Sequence, residues 1–98
     1  MPGFEFFGAE ERKEVNEVLE TGILMRYGFE GPRKGIWKAQ ELEKAITEVF
    51  GCKYAQLTSS GTSALTTAMT VLGIGAGDEV IMPSFTFVAS FEAVLSVG

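Results

Sequence analysis

The residues that could do chemistry gather in Leu57-Thr58-Ser59-Ser60-Gly61-Thr62-Ser63-Ala64-Leu65. An apolar segment passes through a Ser/Gly/Thr turn into a helix-forming run. Such a turn aims backbone N–H groups and hydroxyls at one point, at the positive end of a helix dipole. That arrangement holds an anion, most often a phosphate. The same residues also have a simpler use, since Ser and Thr are favoured helix N-caps and Gly is common in turns. Context favours the phosphate: the turn joins an apolar strand to an Ala-rich helix, and ligands of open α/β sheets collect at strand C-termini.

Other segments carry weaker signals. Pro83-Ser84-Phe85-Thr86-Phe87 follows a second apolar run. Its aromatics either pack in a core or offer one ring, Phe85 or Phe87, to a flat ligand, and spacing alone does not choose. Arg26-Tyr27-Gly28-Phe29 and Arg33-Lys34 lie in a long loop, where basic side chains are either solvated or help to close a site. Gly73-Ile74-Gly75-Ala76-Gly77-Asp78 is not a dinucleotide fingerprint. Those glycines follow a strand and open a helix, whereas these follow a helix and open a strand. They read as a helix stop and a tight turn. No Gly-Lys-Ser/Thr occurs, so there is no Walker A loop.

Proton-transfer groups are scarce. The chain has no His and no metal-ligand spacing of Cys, His and carboxylates. Cys52 has no His to activate it and reads as structural. Glu10, Glu11, Glu14 and Glu17 read as acids on a helix surface. No catalytic residue is assigned.

The elements that must position these residues follow from periodicity. Ala9 to Thr21 reads as a helix with Val15, Val18 and Leu19 on one face, stopped by Gly22. Residues 23–36, broken by Gly28, Gly31, Pro32 and Gly35, read as loop. Trp37 to Phe50 reads as a helix burying Leu42, Ala45, Ile46 and Val49. Lys53 to Thr58 reads as a strand, and Thr62 to Leu72 as a helix with Ala64, Leu65, Ala68, Met69 and Leu72 inward. Asp78 to Pro83 reads as a second strand, and Thr86 to Val97 as a helix. Strands alternating with helices predict an α/β fold with a mostly parallel sheet. Two short strands do not make such a sheet. The expectation is the N-terminal piece of a larger domain, or a chain that completes its fold with others.

Composition narrows the partners. The 98 residues suffice for one small domain at most. Net charge is −5, with ten of the thirteen acids and seven of the eight bases in the first fifty residues. An acidic chain without a basic block argues against nucleic acid and anionic membranes. A single cysteine allows no internal disulfide. Neither a signal peptide nor a membrane span is legible, and a cytoplasmic protein is the expectation.

Tyr54-Ala55-Gln56-Leu57-Thr58-Ser59-Ser60-Gly61-Thr62-Ser63-Ala64-Leu65, followed by the run from Leu72 through Gly77-Asp78-Glu79-Val80-Ile81-Met82-Pro83 to Phe87, resembles the pyridoxal-phosphate (PLP) sugar aminotransferases. This is the DegT–StrS group of fold type I. The upstream Thr21-Gly22, the Gly-rich loop and Leu42-Glu43-Lys44 before Phe50-Gly51 fit the same pattern more loosely.

The resemblance implies a three-layer αβα large domain with a mostly parallel sheet. Residues 1–36 would form an N-terminal helix and active-site loop, and residues 37–98 an incomplete start of the PLP-binding domain. It implies a cofactor seat in which Ser60, Gly61 and Thr62 hold the phosphate and Phe87 stacks on the pyridine ring. Arg26 and Tyr27 would lie near the substrate at a homodimer interface. The chemistry implied is transfer of an amino group from glutamate or glutamine to a keto sugar, often nucleotide-linked, or a keto cyclitol. It needs a Schiff-base Lys and an acid facing the pyridine nitrogen. None of Lys13, Lys34, Lys38, Lys44 and Lys53 stands in a matching context, so these 98 residues alone are expected to be inactive. A PLP sugar dehydratase or regulatory relative of the same fold, and a non-catalytic assembly fragment, are the alternatives.

Overall fold

A computed structural model of the chain describes residues 3–98. It divides into two compact units, Met1–Ala55 and Gln56–Gly98.

The first unit begins with a 3-10 turn at Phe4–Phe6 and continues into α1 (Ala9–Thr21), a one-turn α2 (Glu30–Arg33) and α3 (Lys38–Phe50). At the start of α1 the Glu11 carboxylate accepts the Gly8 N–H at 2.7 Å. Gly8 has no side chain to return the bond, so this is one arm of a capping box. The bond holds the Glu11 carboxyl below its ordinary value. Gly22 at φ 67° ends α1 and Gly51 at φ 63° ends α3. Both are left-handed positions where a glycine costs least.

Ions tie α1 to α3. The Lys38 ammonium reaches Glu14 at 2.6 Å and Glu17 at 2.7 Å on α1, with Glu41 of its own helix at 3.7 Å. The hydrogen bonds it donates to Glu14 and Glu17 raise the Lys38 pKa. The hydrogen bond from Lys38 lowers that of Glu17.

The second unit holds α4 (Gly61–Val71) and α5 (Ala89–Ser96), which pack together. The Thr66 and Ser96 hydroxyls meet at 3.3 Å between them. At the end of α4, Ile74 N–H bonds to the Met69 carbonyl and Gly73 N–H to that of Thr70, each at 3.0 Å. This double closure is a Schellman motif, with Gly73 at φ 79°. Asp78 then accepts Gly75 N–H at 2.9 Å and donates its own N–H to the Gly75 carbonyl. The segment 73–78 is therefore a helix stop and a tight turn, as its placement between helix and apolar run predicts.

Residues 23–36, read as loop, contain the single turn α2 at Glu30–Arg33, and two larger expectations are corrected. The predicted strands at 53–58 and 78–83 do not form, and no strand exists among the described residues. Ala55 and Leu57, and then Val80 and Met82, are half-buried between exposed neighbours, and Ile81 is fully exposed. The two-residue alternation survives, but a strand is defined by a ladder to a neighbour, and the alternation cannot supply one. The parallel sheet of the expected α/β fold is accordingly absent among the described residues. Second, the face of α4 predicted to point inward is open. Of the predicted set Met69 is half-buried, but Ala64, Leu65, Ala68 and Leu72 are exposed, while Thr62, Ser63 and Thr66 are half-buried. Val15, Leu19, Leu42 and Val49 are likewise exposed on α1 and α3. Among the described residues only Ala93 of α5 is a buried apolar side chain. The apolar stripes exist as read, and most of their side chains are exposed or half-buried.

Candidate functional site

The turn into α4 is built from hydroxyls. Ser60 is the N-cap, in extended backbone, and its Oγ accepts the Ser63 N–H at 3.1 Å. The Ser63 hydroxyl meets those of Ser60 at 3.0 Å and Ser59 at 3.2 Å. Thr58 Oγ1 donates to the Ser60 carbonyl at 2.9 Å. These bonds fix the turn in one conformation. First-turn amides lack carbonyl partners within a helix. Ser60 takes up that of Ser63, which leaves the Gly61 and Thr62 amides at the positive end of the α4 dipole.

Gly61 and Thr62 line an open groove with Leu65, Phe87 and Ser90, all within the unit Gln56–Gly98. Two elements meet there: the N-terminus of α4 and the residues entering α5. The Phe87 carbonyl accepts the Ser90 N–H at 3.0 Å, and the Thr86 and Ser90 hydroxyls meet at 2.9 Å. Together these bonds hold the backbone on either side of Phe87, whose ring is 77% exposed. Phe85 is 99% exposed and does not line the groove. Of the two rings, only Phe87 lines the groove. A Cβ built on Gly61 would meet nothing within 4 Å, so the groove is open at that point.

No ionisable side chain lines this groove. The unit Gln56–Gly98 contains no Lys or Arg at all, and its acids are Asp78, Glu79 and Glu92. An anion seated here would meet only amides, hydroxyls and the helix dipole. Among the described residues no cluster of His, Cys, Asp and Glu could hold a metal ion. No helix of the described residues is long and apolar enough to cross a membrane.

Arg26 and Tyr27 belong to the other unit, Met1–Ala55. The Arg26 guanidinium binds both Glu43 carboxylate oxygens, at 2.6 and 2.8 Å. Tyr27 is exposed. Burial sets two residues of this region apart. Glu43, the buried partner of Arg26, sits just off the apolar stripe of α3, where sequence marks it only as one more helix acid. Arg33, whose loop setting leaves solvation and site closure both open, is 4% exposed. Its Nε donates to the Gly28 carbonyl at 2.8 Å, its Nη2 donates to the Met25 carbonyl, and the guanidinium lies 4.5 Å over the Trp37 ring. The one signal available in sequence was the Trp four residues after the Arg.

No solved structure matches the chain. A family model does, over residues 6–98: that of the DegT/DnrJ/EryC1/StrS aminotransferase family.

Proposed function

The chain belongs to the DegT/DnrJ/EryC1/StrS aminotransferase family, and from that premise we propose that it carries part of the active site of a PLP-dependent sugar aminotransferase. The amino group would pass from glutamate or glutamine to a keto sugar or keto cyclitol. The observation that carries the reading is the groove shared by Gly61, Thr62 and Phe87. A phosphate joined to a flat ring suits this donor set: free first-turn amides and a hydroxyl at one end, an exposed aromatic face at the other. When bound, PLP supplies the electron sink for chemistry at the amino-bearing carbon.

The chain's own residues bind and orient. Ser60 holds the turn so that the Gly61 and Thr62 amides stay aimed at the phosphate. The Thr62 hydroxyl adds a donor. Phe87 covers one face of the ring, and its lack of a polar atom leaves contact with the ring edge to other groups. Arg26, with a planar fork of donors, and Tyr27 serve the substrate. All five lysines lie in the unit Met1–Ala55, none of them lining the groove. The family's large domain is of fold type I, with a homodimer as the working assembly.

Equilibrium dialysis with PLP, together with the cofactor's absorption spectrum, tests the reading. Saturable binding should weaken roughly tenfold in Phe87→Ala, about 1.4 kcal/mol. Binding that is non-saturable, or unchanged in that variant, would remove the groove from the cofactor site.

A further inference from the structure

We propose that Arg33 is a positioning residue for the substrate loop, a role that rests on the reading of Arg26 and Tyr27 given above. Its burial is the first argument. A guanidinium that is 4% exposed carries a heavy desolvation cost, and neutral carbonyls offset it less well than a carboxylate. Arg33 is in no ion pair with a carboxylate among the described residues. Its acceptors are the Met25 and Gly28 carbonyls, and its face is covered by Trp37. Those two carbonyls bracket Arg26 and Tyr27. One rigid fork therefore sets both ends of the dipeptide at once.

The loop needs such a clasp. Phe29 at φ 63° and Lys34 at φ 54° are non-glycine residues in the left-handed region, each unfavourable on its own. They flank α2, the single turn on which Arg33 sits. Arg26 is pinned independently by Glu43 of α3. With Arg26 held by its head and the backbone held at 25 and 28, the direction in which Tyr27 leaves the loop is determined. An ammonium cannot replace the fork: it has neither the planar pair of donors nor the face that stacks on indole.

The test uses the full-length, PLP-loaded enzyme carrying Arg33→Lys, with Trp37→Leu as a second, milder variant that keeps the fork. L-glutamate is the probe, its half-reaction followed by the cofactor spectrum. Trypsin cleavage at the Arg26–Tyr27 bond reports the loop without needing activity. Arg33→Lys should speed that cleavage and raise KM for L-glutamate roughly ten- to hundredfold. Trp37→Leu should change both in the same direction by less. The Kd for PLP should stay within about twofold, since neither Arg33 nor Trp37 lines the groove. If KM rises in Arg26→Gln and Tyr27→Phe but not in Arg33→Lys, the positioning role is overturned while the substrate reading stands. If Arg33→Lys speeds cleavage yet none of the three variants moves KM, the substrate reading fails and takes the proposal with it.

Discussion

In the unit Met1–Ala55 the side chains that define the structure are ions, and in Gln56–Gly98 they are hydroxyls. Lys38 joins α1 to α3 through Glu14 and Glu17, Glu43 holds Arg26, and Arg33 clasps the loop. In the second unit Ser59, Ser60 and Ser63 shape the turn into α4, and Thr66 with Ser96 links α4 to α5. The division bears on what each can bind. An anion seat made of neutral donors is shaped the same way at any moderate pH and salt, because nothing in it titrates or is screened. A loop organised by ions can be adjusted by pH, by salt and by charged ligands. Under the proposed function, the first suits the cofactor phosphate and the second the variable substrate.

The sharpest way to break this comparison is to put a charge into the neutral unit. Gly61→Glu places a carboxylate beside the proposed phosphate position, with no Cβ clash to unfold the turn. PLP binding should fall about a hundredfold or more, roughly 2.7 kcal/mol, read by dialysis. Retained affinity would mean that the phosphate sits elsewhere.

A matched pair of variants sharpens it further. Glu43→Gln leaves the Arg26 guanidinium without its carboxylate and should destabilise the first unit by about 1–2 kcal/mol, Arg26 being partly screened by solvent. Ser60→Ala removes a neutral N-cap and should cost about 1 kcal/mol. Denaturation at low and at high salt checks the pair. The loss from Glu43→Gln should shrink in high salt, and that from Ser60→Ala should not.

The smallest effect expected is a pH response confined to the first unit. Glu17 has a lowered pKa, chiefly from its bond to Lys38. Its contribution is therefore present above the ordinary carboxyl value of 4.5 and lost as pH falls through the lower folded value. Lys38 has a raised pKa, so its contribution is complete below 10.5 and lost only at more alkaline pH. Trp37 and both tyrosines lie in the first unit and the second has neither, so intrinsic fluorescence reports the first alone. Its emission should shift on acidification below about pH 4.5, and less so in Lys38→Met.

Helices were largely legible. Ala9–Thr21 ends where periodicity and Gly22 place it, α3 starts one residue late, and α5 starts three residues late at Ala89. The capped turn into α4 was equally legible, because a cap, a glycine and a helix start lie within four residues. The strands were not. Their pattern is present at 53–58 and 78–83, but a pattern states only which face would be covered.

The sequence by itself determined the helices, their glycine stops, the Ser60-capped turn into α4 and the family. Those signals act within a turn or two of chain, through hydrogen bonds between residues a few positions apart. Tertiary structure decided that Phe87 rather than Phe85 lines the groove with Gly61 and Thr62, that Arg33 and Glu43 are buried, and that Thr66 of α4 meets Ser96 of α5. Each of these depends on which distant residue arrives as a neighbour. Burial of a charge or a ring is a property of that encounter, and no local spacing encodes it.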